Sequence, residues 1–343
     1  MKSIAIIIPV LNEAADIDAN LSVILSYTQA CTAVHDQAHT LDHAPDHTHT
    51  HTHANTQDHI DCAVRFTLLV VDDGSTDETA EVVLKRGQLD HNIRLLSLSR
   101  HFGKEAAILA GLSNAQDFDA VIVMDSDLQH PPALLAEMLE RWQQGYLVVE
   151  AVKASRGDEP LTKNLLVRSY YRLFNFLTTL SISGDTDFKL LDKQVVADYC
   201  RLPEHNRFFR GLIKWMNFST ARIFFDVPAS VRARSSWGNM ALFRYAVSSI
   251  TSFTAFPLQI VTLLGGLTFV ISLTIGGIAL FDKLSGNAVD GFTTVILLIL
   301  LIGSILMFSV GMIGIYVGKI YDEVKKRPTY LLDKTKSNLD EIR

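Results

Sequence analysis

Asp125 and Asp127 stand one residue apart, directly after the apolar run Ala120-Val121-Ile122-Val123-Met124. Two carboxylates so placed at the end of a buried strand can offer a hard divalent cation one or two direct oxygen ligands. Magnesium or manganese would keep its remaining positions for water and a diphosphate. Such a cation neutralises charge that develops on a nucleoside-diphosphate leaving group. Two more polar clusters follow apolar runs in the same way: Asn12-Glu13 after Ile4 to Val10, and Asp72-Asp73-Gly74-Ser75 after Phe66 to Val71.

The elements that must carry these clusters are legible from the pattern around them. Ile4 to Val10, Phe66 to Val71, Arg94 to Leu98 and Ala120 to Met124 are near-continuous apolar runs, the mark of strands buried on both faces. Helical patterns lie between them. Ile17, Leu21 and Ile24 share one face, and Leu134, Leu135, Met138, Leu139 and Trp142 share another. Ser75-Thr76-Asp77-Glu78 has the form of a capping box and predicts a helix start there. Gly103 opens a helix of small residues through Ala106, Ala107, Ala110 and Gly111. Alternating strand and helix predict an α/β domain with a mostly parallel, Rossmann-like sheet covered on both sides. Ligands bind such sheets beyond the carboxyl ends of the strands, where all three polar clusters sit. One insert breaks the pattern. Residues 35–59 hold eight of the twelve histidines with little apolar content, so a disordered, His-rich loop is expected over 32–62. Such a tract can bind zinc, nickel or copper, or be a tolerated expansion of a surface loop.

The last third has a different composition. Of the 343 residues 48% are hydrophobic, and the excess gathers in 255–281 and 292–318, neither of which holds a charged side chain. Each is long enough to cross a hydrocarbon core of roughly 30 Å. The linker between them has Lys283 as its only basic residue, whereas Lys319, Lys325, Lys326 and Arg327 follow the second stretch. That asymmetry puts the tail, 319–343, on the cytoplasmic side and the linker outside. Two spans then return the chain to its starting side, so the domain over 1–230 is expected in the cytoplasm, at the inner membrane. Residues 231–254 include Trp237, Phe243, Tyr245 and Phe253, and read equally as an interfacial helix or a last soluble helix. Glycines at 265, 266, 276, 277, 303, 311 and 314 allow close helix packing and predict a homo-oligomer. A net charge of -6 with no basic block in the first 250 residues argues against nucleic acid as a partner. Cys31, Cys62 and Cys200 are far apart, which suggests a reducing compartment. The short N-terminal segment lacks the features of a signal peptide.

Several runs together resemble the family 2 glycosyltransferases of the GT-A fold. They are Ile8-Pro9-Val10-Leu11-Asn12-Glu13, Val71-Asp72-Asp73-Gly74-Ser75-Thr76-Asp77 and Asp125-Ser126-Asp127-Leu128-Gln129-His130-Pro131. Ser99 to Ala107 (SRHFGKEAA), Asp187 to Asp192 (DFKLLD), Arg207 to Gly211 (RFFRG) and the apolar pair of segments resemble, more narrowly, the polyisoprenyl-phosphate branch. That branch includes dolichol-phosphate mannose synthase and the bactoprenol glucosyltransferases.

The resemblance implies a site, residue by residue. Pro9, Asn12 and Glu13 would lie near the base and ribose of a UDP-sugar, and Asp73 would contact the uridine. Asp125 and Asp127 would hold Mg2+ or Mn2+ against the diphosphate, with Gln129 near the donor sugar. Lys104 and Arg156 are further donor contacts. Arg207 and Arg210 would face the phosphate of a polyisoprenyl acceptor such as undecaprenyl phosphate, since a planar guanidinium pairs two phosphate oxygens at once. Asp187 would act as a base or orient the acceptor, and Asp72 would cap or orient its turn. The implied reaction is an inverting hexose transfer for cell-envelope glycan modification. Glucose is the expected sugar, with N-acetylglucosamine, mannose or a modified pentose as alternatives. One departure is Arg232-Ala233-Arg234-Ser235-Ser236-Trp237, where related enzymes often place a lysine before an aromatic; Arg234 can supply that charge. Two other readings compete. Processive polysaccharide synthases carry Gln-x-x-Arg-Trp, but here Arg141-Trp142 is preceded by Met138. A membrane-tethered sensor would account for the histidine tract.

Overall fold

The computed structural model describes residues 1–41, 64–153, 185–225, 254, 256–285 and 291–338. Most of the histidine tract, Arg156, Arg232, Arg234 and the juxtamembrane segment before Thr254 lie outside the described residues. The chain divides into two units. The first comprises Met1–Arg168, Leu180–Ser235 and Pro328–Arg343, and the second Ser169–Thr179 and Ser236–Arg327.

The first unit is built on a seven-stranded sheet. Its strands are β1 (Lys2–Val10), β2 (Val64–Asp72), β3 (Ile93–Ser97), β4 (Ala120–Val123), β5 (Val148–Lys153), β6 (Asp185–Asp192) and β7 (Thr220–Phe225). Their order in space is β3-β2-β1-β4-β6-β5-β7. β1 pairs parallel with both β2 and β4, β2 with β3, and β5 with β7. Only β6 runs against its neighbours β4 and β5. The four runs expected to be strands are β1 to β4, and their apolar continuity has the foreseen cause. Ile4, Ile6, Ile8 and Ile7 are all fully buried, so β1 is covered on both faces.

The helices of this unit are α1 (Ile17–Leu41), α2 (Thr79–Leu89), α3 (Lys104–Asn114), α4 (Leu135–Gln143), α5 (Lys193–Arg201) and α6 (Phe209–Met216). α4 buries Leu135, Met138, Leu139 and Trp142, the stripe read from the sequence. α3 lies so close to β1 that a Cβ on Gly111 would meet Ile7 Cγ2 at 2.6 Å. Gly111→Ala is therefore expected to cost about 2 kcal/mol by overpacking, read as a lowered Tm. Two boundaries differ from expectation. α1 continues to Leu41, into the segment read as loop, where Ala30, Ala33, Gln37 and Ala38 supply helix formers. α2 starts only at Thr79, because Ser75 does not cap it: its Oγ accepts the Asn12 N–H at 2.9 Å, across to the loop after β1.

Residues near the C-terminus lie against this sheet. Residues 331–338 run beside β3, whose outer edge would otherwise be open. Ser99 N donates to Leu331 O at 2.8 Å, Asp333 N to Ser97 O at 2.8 Å and Asn338 N to Leu95 O at 3.1 Å. In return Leu95 N donates to Asn338 Oδ1 at 2.6 Å and Ser97 N to Ser337 Oγ at 3.0 Å. An antiparallel bridge joins Leu98 and Leu332. Covering an edge in this way removes a row of unpaired backbone groups.

The second unit holds α7 (Phe256–Leu284) and α8 (Phe292–Lys325). Within them Leu258–Ile278 and Leu301–Lys325 are long and apolar enough to cross a membrane, each with a mean hydropathy of 2.0. Their large side chains, among them Leu263, Phe269, Leu273 and Met307, face outward. Such an exposed apolar surface is compatible with an apolar solvent. The glycines do not mark the helix contact within this chain: a Cβ at 265, 266, 276, 277, 303, 311 or 314 would meet nothing within 4 Å.

Candidate active site

The sheet order reverses between β1 and β4, with β2 and β3 on one side and β6 onward on the other. The loops leaving the carboxyl ends of β1 and β4 therefore open onto one crevice. They carry Asn12-Glu13 and Asp125-Ser126-Asp127. The antiparallel course of β6 adds a third contributor. Val123 pairs with Lys189, and continuing that register by two residues sets Asp187 opposite Asp125. A strand that starts where its neighbour ends thus delivers a carboxylate from its own first turn of pleat.

Lys104, at the start of α3, bridges the two strands. Its Nζ lies 2.5 Å from Asp125 Oδ1 and 2.7 Å from Asp187 Oδ2. Arg210 completes the chain of charges from the other side. Its Nε donates to Asp187 Oδ1 at 2.6 Å and its Nη2 to Oδ2 at 2.9 Å, the two-pronged pairing that a guanidinium favours. Burial alone would push the Asp187 carboxyl up, but Arg210 and Lys104 outweigh it and hold it well below the usual carboxylate range. Burial likewise opposes charge on Lys104, and Asp187 and Asp125 more than offset it, raising its pKa. Asp187 is therefore a fixed anion between two cations and a poor proton acceptor.

α6 is held in place by a repeat of the same device. Arg210 and Lys214 are four residues apart on one helix face, and Asp187 and Asp185 two apart on one strand face. Lys214 Nζ pairs with Asp185 Oδ2 at 3.0 Å and Glu150 Oε2 at 3.2 Å, and the buried Lys189 pairs with Glu150 Oε1 at 2.8 Å. Removing one member of such a buried set strands the rest. At the N-terminus of α6, Phe209 N donates to Glu105 Oε2 at 2.8 Å. Burial, then the nearby Asp187 charge, push Glu105 up to about 7. The folded protein then binds a proton that the unfolded chain releases near pH 4.5, so stability falls as pH rises from about 4.5 to about 7. Thermal melts across that window should show the decline, and Glu105→Gln should flatten it.

The metal candidates are Asp125 and Asp127. Asp127 is exposed and accepts only the Gln129 N–H, at 3.0 Å, among the hydrogen bonds of the described residues. Asp125 is partly exposed beside Lys104. Glu13 is raised by its own burial, against a hydrogen bond with Ser126, and then by Asp127 and Asp125, a sign of concentrated negative potential. Among the described residues no group of three His, Cys, Asp or Glu side chains could hold a metal. The carboxylate oxygens of Asp125 and Asp127 are of the chemical kind a hard divalent cation takes, with its other ligands from water and substrate.

The remaining expected residues are placed as follows. Asn12 has a left-handed backbone, φ 54, and its Oδ1 accepts the Thr76 N–H at 2.9 Å, tying the loops after β1 and β2. Pro9 is buried within β1, opposite Val71. Asp72 is buried and orients its turn, accepting from Ser97 Oγ at 2.9 Å and Ser75 N at 3.0 Å. Asp73 grips the loop before α3, accepting from Phe102 N at 2.7 Å and Gly103 N at 2.9 Å, with His101 Nδ1 at 2.8 Å. Gly74 makes this packing possible: at φ 71, a Cβ there would lie 2.2 Å from the Arg100 carbonyl carbon. Arg207 is set apart from Arg210. Its Nε, Nη1 and Nη2 donate to the carbonyls of Glu204, Tyr199 and Leu202, pinning the end of α5 to the loop that follows it.

Two residues of the site were not singled out from sequence. Glu105 had no signal beyond its place in the Ser99 to Ala107 run. His130 stood in the quoted motif but without a role. It is buried, stacked on Phe188 at 5.3 Å and edge-on to Phe225 at 6.0 Å. Its Nδ1 has no hydrogen-bond partner among the described residues and lies 4.0 Å from Asp125 Oδ2.

Comparison with known proteins places these features in context. Residues 55–200 match the glycosyl transferase family 2 model. The chain is 34% identical over 78% of its length to the SfII prophage-derived bactoprenol glucosyl transferase of Shigella flexneri, covering 87% of that protein. It is also 34% identical to an uncharacterized glycosyltransferase of Synechocystis, over 78% of this chain and 85% of that one. Among solved structures, glucosyl-3-phosphoglycerate synthase from Mycobacterium tuberculosis, in complex with Mn2+, UDP-glucose and phosphoglyceric acid, is 19% identical. The TM-score is 0.43, with 73% of this chain and 79% of that one covered.

Proposed function

From the premise that the chain belongs to glycosyl transferase family 2, we propose that it transfers glucose from UDP-glucose to a polyisoprenyl phosphate at the cytoplasmic face of the inner membrane, inverting the anomeric centre. The observation that carries this reading is the unbroken charge sequence Asp125–Lys104–Asp187–Arg210 beside the exposed Asp127. It would join a place for a diphosphate-bound cation to a place for a second phosphate. The bactoprenol glucosyl transferase relatives supply the acceptor class.

Asp125 and Asp127 would hold Mg2+ or Mn2+, which when bound supplies neutralisation of the leaving diphosphate. Glu13 and Asn12, on the loop after β1, line the donor side of the crevice. Arg210 would present a cation to the acceptor phosphate and Lys104 one to the donor, with Asp187 keeping both aimed. A phosphate monoester with a second pKa of about 6 is mostly a dianion at neutral pH. The nucleophile therefore arrives deprotonated, in keeping with an Asp187 that takes no proton. Catalysis then rests on positioning and on charge neutralisation.

Chain connectivity supports an orientation. The N-terminal sheet and the tail beside β3 form one unit, so any crossings between them must be even in number. α7 and α8 would supply two, and the basic residues after α8 favour the cytoplasm for both ends. The test is transfer of radiolabelled glucose from UDP-glucose into organic-extractable lipid, with undecaprenyl phosphate as acceptor, before and after chelation. A labelled lipid that forms only with Mg2+ or Mn2+ is expected. Label in polymer, or label independent of the cation, would overturn the reading.

A further inference from the structure

We propose that the C-terminal segment Leu331–Asn338 is a positioning strap for the active site, in addition to covering a sheet edge. It grips β3 at Leu95, Ser97 and Ser99, and these are the residues that lead into the catalytic loop. Ser97 is held on both backbone groups by the strap, its N–H by Ser337 Oγ and its carbonyl by Asp333 N. Its own hydroxyl then donates to Asp72 Oδ2, and Asp72 orients the turn through Ser75. Ser99, pinned to Leu331 O, precedes the loop whose Phe102 and Gly103 N–H groups bind Asp73. The next residue is Lys104, which bridges Asp125 and Asp187.

Every step from the strap to Lys104 is a hydrogen bond or a short run of backbone. β3 is a short edge strand, and edge strands open locally most easily. With the strap in place, Leu95 exchanges both of its backbone hydrogen bonds with Asn338 alone, which fixes the strand's end in register. Without it, the start of α3 loses that fixed point, and Lys104 loses its aim on two carboxylates. The strap is thus a set of positioning residues, acting through Ser97 and Ser99 and touching neither substrate nor cation. The inference rests on the reading of Lys104 as part of the transfer site.

The test uses the full chain in nanodiscs of phosphatidylethanolamine and phosphatidylglycerol. Asp333→Pro removes the N–H that Ser97 O accepts. Amide exchange at Ser97, Ser99, Phe102 and Gly103 should then quicken by about tenfold or more, and kcat should fall about tenfold with KM for UDP-glucose little changed. Asn338→Ala should act in the same direction, whereas Asn338→Asp keeps the oxygen facing Leu95 N and should restore both readouts. This pair decides the matter even if the proline variant does not fold. Faster exchange at Ser97 and Ser99 with unaltered kcat would reduce the segment to an edge cover and overturn the proposal, as would equal kcat in the alanine and aspartate variants. If the unaltered enzyme formed no lipid-linked glucose, the proposed reaction would fall. Exchange at Phe102 and Gly103 would still report whether the strap holds the loop.

Discussion

Asp127→Asn is expected to lower turnover by about a thousandfold without lowering Tm. The side chain is exposed and accepts one backbone N–H, from Gln129, which an amide oxygen can still accept. Only the charge is lost, and that charge is what a cation beside a leaving diphosphate needs. Asp187→Asn is the informative contrast. Its carboxylate already carries two cations, so neutralising it should loosen Lys104 and Arg210 and lower Tm, yet cost far less turnover than Asp127→Asn. Mass spectrometry of the lipid product at saturating Mn2+, alongside thermal melts, checks both. A dead Asp187→Asn enzyme that still binds both substrates would reverse the ranking and make that residue the base.

The two arginines of the RFFRG run should separate just as clearly. Arg210→Ala is expected to raise KM for undecaprenyl phosphate by about a hundredfold. It should also cost about 3 kcal/mol of stability, because the buried Asp187 loses its two-pronged partner. Arg207→Ala should lower Tm, since the Tyr199, Leu202 and Glu204 carbonyls around the C-terminus of α5 lose a guanidinium donor, and leave KM for the lipid in place. Titrating the acceptor in nanodiscs at fixed UDP-glucose measures the split. An equal rise in KM for both variants would show that Arg207 swings onto the phosphate in the working enzyme.

These two residues also mark where sequence reading stops. From the chain alone Arg207 and Arg210 are alike: same type, three apart, in one motif. What divides them is that Arg210 lies in the first turn of α6, facing β6, while Arg207 folds back on α5. The strands were legible because burial on both faces leaves an unbroken apolar run, as in Ile4 to Val10. The crevice was legible because polar clusters end such runs. The antiparallel β6 was not, since nothing in Asp185–Asp192 states which neighbour it joins or in which direction. The meeting of Asp125 with Asp187 is a product of that register. The tail was opaque for a similar reason. Leu331 and Leu332 sit among polar residues with no alternation, and their order comes entirely from the open edge they meet. Asp73 is a milder case, a motif carboxylate whose oxygens serve the loop at Phe102 and Gly103.

The order of synthesis gives the strap a temporal meaning. Residues 331–338 leave the ribosome after everything between them and β3, including both long apolar helices. Until then the N-terminal domain waits with a bare flank next to its Lys104 loop. If the strap positions Lys104 as proposed, the catalytic head is finished only once both long apolar helices have been made.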